Sequence, residues 1–174
     1  MEALLVSIGL VALAEVGDKT QLLTLVLAAR YRKPWPIIAG ILVATLANHA
    51  IAGALGAWLT RAIGADAMRW ILGVSFIAMA AGMLLPDKLD ADAGASRSLG
   101  GVFATTTFLF FLVEIGDKTQ IATVALAARF DSLAAVVMGT TAGMLVANPP
   151  VAVFGEALAR RLPVPAIHGA ARLG

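Results

Sequence analysis

The sequence predicts an all-α, polytopic membrane protein built from two inverted-topology repeats of three transmembrane helices, the sixth helix incomplete. Three observations predict it. Apolar runs of about 20 residues or more, each long enough to cross a bilayer, follow one another along the chain. The chain matches itself at a shift of 99 residues. Each repeat holds an odd number of runs, so the second copy sits upside down relative to the first, as in many secondary transporters.

Composition agrees with the first observation. The 174 residues are 60% hydrophobic and 14% charged, with a mean hydropathy of +0.89. A soluble domain carries about 25% charged residues. The net charge is +2, and the Arg and Lys residues stand mostly at the ends of apolar runs. They read as topology signals and leave no basic patch for nucleic acid. The absence of cysteine excludes disulfides, thiolate metal sites and thiol catalysis.

The first run, about Ala3 to Ala29, lacks a basic leader and is a span rather than a cleaved signal. Arg30, Arg32, Lys33 and Pro34 close it. The second goes from Trp35 to Leu59 and the third from about Ala67 to Leu85. The first repeat thus takes residues 1–86, a hydrophilic linker 87–100, and the second, inverted repeat 101–174. In that repeat a fourth run covers Val102 to Ala128 and a fifth Leu133 to Leu158. The piece from Pro163 to Gly174 is less than half a span, so the native chain is expected to continue for about 15 residues. The 99-residue shift also superimposes Thr24 on Thr123, Gly40 on Gly139, Gly56 on Gly155 and Arg61 on Arg160. Basic residues concentrate on one side: Arg30, Arg32, Lys33, Lys88, Arg97, Arg160 and Arg161, against Arg61, Arg69 and Arg129. The linker is therefore expected in the cytoplasm and the N-terminus outside.

The element common to both repeats is Glu15-Val16-Gly17-Asp18-Lys19-Thr20-Gln21, returning as Glu114-Ile115-Gly116-Asp117-Lys118-Thr119-Gln120. Each copy places three charges in the middle of an apolar run. A charge at the centre of a membrane helix costs roughly 2.5–3.5 kcal/mol, so each copy costs on the order of 7–10 kcal/mol before pairing. Such a cluster is a candidate functional site. On a continuous helix Glu15 and Asp18 share a face, and Lys19 pairs with Glu15 four residues back. Glu114, Asp117 and Lys118 repeat the pattern. Gly17 and Gly116 allow either a close helix approach or a helix break.

Brought together, four carboxylates and two ammoniums leave a formal charge of −2, which one divalent cation or two protons balance. Carboxylate, amide and hydroxyl oxygens are hard donors suited to Mg²⁺, Ca²⁺ or Mn²⁺. The candidate ligands are Glu15, Asp18, Glu114 and Asp117, with Gln21 and Gln120 as additions. Lys19, Lys118, Thr20 and Thr119 are supporting polar or gating groups, as are Asn48, His49 and Asn148. These last three either brace the acids or bond one helix to another. Pro149-Pro150 is expected to kink the fifth span and free carbonyls. Trp35, Trp58 and Trp70 stand near span ends, as interfacial anchors do. A purely structural set of ion pairs is a poor return for six charges, because a buried pair seldom outperforms an apolar replacement.

Two copies of Glu-x-Gly-Asp-Lys-Thr, each in the first span of a three-span repeat and joined by an acidic linker, resemble the Gdt-type cation/proton antiporter family. Its eukaryotic members are Golgi calcium/manganese transporters, and its bacterial members are manganese exporters of the MneA or Mnx kind. The resemblance implies export of a divalent cation, Mn²⁺ before Ca²⁺, in exchange for H⁺ by alternating access, with the motif acids as ligands. It implies no enzyme activity and no prosthetic group. The short chain resembles the bacterial form, which implies an inner-membrane location among lipid. The oligomeric state is left open, a homodimer included. The alternatives are a proton-coupled exporter of a small organic cation or amino acid, and a passive cation pore or assembly factor.

Overall fold

A computed structural model describes residues 1–82 and 100–161. The linker with Lys88 and Arg97, the end of the third run and the piece after Pro163 lie outside the described residues. Seven helices make up the described chain, with no strand among the described residues: α1 (Glu2–Ala14), α2 (Lys19–Tyr31), α3 (Pro34–Ile63), α4 (Ala65–Gly82), α5 (Val102–Glu114), α6 (Lys118–Arg129) and α7 (Leu133–Arg161). By length and composition α3 and residues 133–155 of α7 are long and apolar enough to cross a membrane; α1 and α5 are apolar but shorter.

The first and fourth apolar runs are therefore not continuous helices. Each breaks in its motif, into α1 and α2 or into α5 and α6. Gly17 and Gly116 take φ values of +77° and +75° at the two breaks, a left-handed conformation that only glycine adopts without strain. The chain then restarts its helices at Asp18 and Asp117, which occupy the N-cap positions of α2 and α6. Each break is braced in the same way. Gly17 N–H donates to Gln21 Oε1 at 3.0 Å, and Gly116 N–H to Gln120 Oε1 at 2.9 Å.

The long helix of each half packs on the broken pair of the other: α7 lies along α1 and α2, α3 along α5 and α6, and α3 and α7 cross each other. Two contacts show the equivalence. A Cβ at Gly40 on α3 would stand 2.7 Å from Thr106 Cβ on α5, and one at Gly139 on α7 would stand 2.6 Å from Ser7 Cβ on α1. Gly40 and Gly139 are one shift apart, and so are Ser7 and Thr106. Small residues there let the backbones approach, which is how helices pack where lipid supplies no hydrophobic drive. Helix α7 continues through Pro149 and Pro150.

Polarity is distributed inside out. Ser7, Glu15, Asp18, Thr20, Thr24, Thr45, Asn48, His49, Glu114, Asp117 and Asn148 are buried, whereas Leu5, Leu13, Ile51, Ile77 and Phe154 face outward. Trp35, Trp58 and Trp70 are likewise exposed. The apolar core is a small cluster of Leu23, Leu27, Ile37, Ile41, Leu109 and Phe110 with several alanines. It ties α2, α3 and α5 together beside the motif residues.

Candidate metal centre

Both breaks face each other in the interior. With Gly17 left-handed, the chain between Glu15 and Lys19 is a turn, closed by Asp18 N–H donating to Glu15 O at 3.1 Å. The helix-face geometry expected for Glu15, Asp18 and Lys19 does not form. The pairing of Lys19 with Glu15 is replaced by a reciprocal exchange between repeats. Lys19 Nζ lies 2.9 Å from Asp117 Oδ1, and Lys118 Nζ lies 2.5 Å from Asp18 Oδ1. A lysine at the first position of α2 projects across the break toward the opposite motif, and its repeat mate does the converse. The four groups are largely buried, Lys19 being the most open at 24% exposure.

One carboxylate oxygen each from Glu15, Asp18 and Asp117 falls within 4.8 Å of the others. An ion equidistant from such oxygens sits no more than about 2.8 Å from each, and at most a few tenths of an ångström of contraction reach the 2.3–2.6 Å of a hard cation. Two motifs 99 residues apart thus meet in one oxygen cluster. Asp18 and Asp117 hold helix N-cap positions, where the positive end of the helix dipole favours an anion.

Glu114 stands apart from this cluster. Thr45 Oγ1 donates to its Oε1 at 2.8 Å and Asn48 Nδ2 to its Oε2 at 3.0 Å. Glu15 is held otherwise. Thr20 Oγ1 and Asn148 Nδ2 both donate to its Oε2, the latter at 3.2 Å, while Oε1 has no hydrogen-bond partner among the described residues. The sequence pointed to four equal acids; the structure brings three together and gives the fourth a hydrogen-bonded pocket of its own.

The remaining candidates divide clearly. Gln21 and Gln120 spend their amide oxygens on the glycine N–H groups, and their amide nitrogens donate to Ala147 O and Asn48 Oδ1, both at 3.2 Å. They shape the breaks. Thr20 Oγ1 also lies 3.3 Å from Asp18 Oδ2, and Thr119 Oγ1 lies 3.4 Å from Asp117 Oδ2. Asn48 and Asn148 each reach an acid of the opposite repeat, so they both brace the acids and join helices. His49 is fully buried, and neither ring nitrogen has a hydrogen-bond partner among the described residues. Sequence reading missed Thr45 and Met144, which occupy matching repeat positions, Thr45 bonded to Glu114 and Met144 against the Asn148 that bonds Glu15. The shift that aligned the motifs carried the signal, because it sets Thr45 against Met144 in the alignment.

No solved structure matches the chain. A Vibrio cholerae protein named "Putative manganese exporter" is 53% identical over 165 residues, covering 94% of this chain and 82% of that protein. The GDT1-like protein sll0615 of Synechocystis is 28% identical over 83% of this chain and 77% of its own length. GDT1-like protein 3 of Oryza sativa is 26% identical over 92% of this chain and 66% of its own length. Residues 3–91 and 102–174 match the family described as "Divalent cation/proton antiporter GDT1". That family is one of transporters and not of enzymes, and the chain belongs to it, the GDT1 family of divalent cation/proton antiporters.

Proposed function

We propose that the protein exports Mn²⁺ in exchange for protons, with Glu15, Asp18 and Asp117 as the ion's ligands. The observation that carries this reading is the convergence of three buried carboxylates from both repeats within 4.8 Å. Oxygen donors suit Mn²⁺ and Ca²⁺ alike; the name of the Vibrio relative favours manganese. The carboxylates accept either the cation or protons, so loading with one displaces the other.

The lysines give the exchange its gate. Lys19 and Lys118 neutralise Asp117 and Asp18 across the repeat boundary, acting as tethered surrogate cations. An arriving divalent ion competes with both ammoniums, and their release uncouples the two motifs. The repeats, inverted in the membrane with the N-terminus outside and the linker cytoplasmic, then rock about the α3–α7 crossing and expose the ion to the other side. Protons from outside and the returning lysines discharge it. The equivalent packing of the two halves, Gly40 on Thr106 and Gly139 on Ser7, supports this two-state motion. The bacterial inner membrane is the corresponding location.

The test is Mn²⁺ flux in proteoliposomes under an imposed pH gradient. Gradient-driven uptake that is lost in Glu15→Gln and Asp117→Asn is expected. Flux indifferent to the gradient, or intact in both variants, overturns the reading. The same assay with Ca²⁺ measures selectivity.

A further inference from the structure

We propose that residues 45 and 144, one repeat shift apart, make the two halves of the site unequal: Thr45 withdraws Glu114 from the ion, and Met144 leaves Glu15 an oxygen to give it. The inference rests on the reading of Glu15, Asp18 and Asp117 as the cation site. It concerns how the chain chooses which glutamate joins them.

The 99-residue shift pairs Glu15 with Glu114 and Thr45 with Met144. Each long helix passes beside the glutamate of the other repeat, as the bonds from Asn148 to Glu15 and from Asn48 to Glu114 require. On one side the hydroxyl of Thr45 donates to Glu114 Oε1 at 2.8 Å, and with Asn48 on Oε2 both carboxylate oxygens are engaged. On the other side the matching position presents a thioether. Met144 is fully buried, its Sδ 3.7 Å from Asn148 Nδ2. Sulfur of this kind accepts weakly and donates nothing, so Asn148 is shared between Met144 and Glu15 Oε2 while Glu15 Oε1 has no donor.

A buried carboxylate oxygen without a donor is costly. A hard divalent cation repays that cost, because it supplies the positive charge that the missing hydroxyl does not. A donor on that oxygen opposes the ion. Glu15 has one carboxylate oxygen within 4.8 Å of Asp18 and Asp117, and we assign its buried, donor-free Oε1 to the ion. Met144 and Thr45 are positioning residues: neither touches the ion, and each sets whether its glutamate is available.

Mn²⁺ binding to the detergent-purified protein, measured calorimetrically, tests the inference. Met144→Thr puts a hydroxyl at the repeat mate of Thr45, which bonds Glu114 Oε1, and is expected to weaken binding by roughly tenfold or more. Met144→Leu keeps the bulk without a hydroxyl and should remain within about twofold of the wild type. Equal affinity in M144T and wild type overturns the proposal, as does a loss in M144L matching that in M144T. Should M144T not fold, the converse arm decides. Thr45→Val releases Glu114 Oε1, so adding Glu114→Gln to T45V must weaken binding more than Glu114→Gln does alone; equal effects overturn the proposal. Asp18→Asn separates this inference from the one beneath it. Wild-type affinity in D18N removes the cation site itself, whereas lost binding in D18N with an indifferent M144T removes only the role of residues 45 and 144.

Discussion

Replacing Asp117 by asparagine removes one of the three charges that meet at the site while keeping size and shape, and the structure sets the size of the effect. An ion centred among oxygens at most 4.8 Å apart lies no more than about 2.8 Å from each. With an effective dielectric of about 20, attraction between a divalent ion and one carboxylate at that distance is on the order of 12 kcal/mol. The Lys19 ammonium at 2.9 Å supplies about 6 kcal/mol of the same kind when the ion is absent. The surplus of about 6 kcal/mol is reduced by desolvation of the ion; if that takes half, about 3 kcal/mol remains, or roughly a hundredfold in affinity. Asp117→Asn is therefore expected to raise the Kd for Mn²⁺ by about a hundredfold in calorimetric titration, with gradient-driven flux lost in proteoliposomes. Glu114→Gln is the matched comparison, since this acid bonds to Thr45 and Asn48 outside the cluster. Its effect on the Kd should stay below about threefold. Equal losses in the two variants refute the reasoning, because they mean that all four motif acids contribute alike.

Three further outcomes follow from the same geometry. Lys118→Gln leaves the fully buried Asp18 without its ammonium, which costs about 3–5 kcal/mol when a buried pair loses one partner; thermal unfolding in detergent should fall sharply without Mn²⁺ and recover with it, and a melting temperature independent of the ion counts against the surrogate-cation role. Gly17→Ala forces a side chain into φ +77° with no steric clash to confuse the result, costing about 1–2 kcal/mol, and it should lower both thermal stability and Mn²⁺ affinity; a variant unchanged in both shows that the break does not shape the site. Gln21→Leu removes the acceptor for Gly17 N–H and the donor to Ala147 O, so circular dichroism should report a helical protein with a lowered melting point and weakened Mn²⁺ binding, whereas binding unaffected by the change separates the brace from the site.

The all-helical class, the register of the repeat and the candidate acids are properties of the chain itself. Hydropathy set the class, because a sequence with 14% charged residues has too little polar surface to cover itself in water. The doubled motif marked the candidate acids, because charge in an apolar run is costly wherever it is found. The break at Gly17 and Gly116 was legible only as one of two options, since glycine permits a left-handed turn without demanding it. Tertiary structure took that option and so carried Lys19 away from Glu15 to Asp117, and Lys118 to Asp18. It also separated two glutamates that the motif presents as equals. Which carboxylate oxygens stay open depends on donors from distant helices, Thr45 and Asn48 for one and Asn148 beside Met144 for the other. A local pattern states what a residue can offer; only the packed neighbours, arriving from the opposite repeat, decide what is left for an ion.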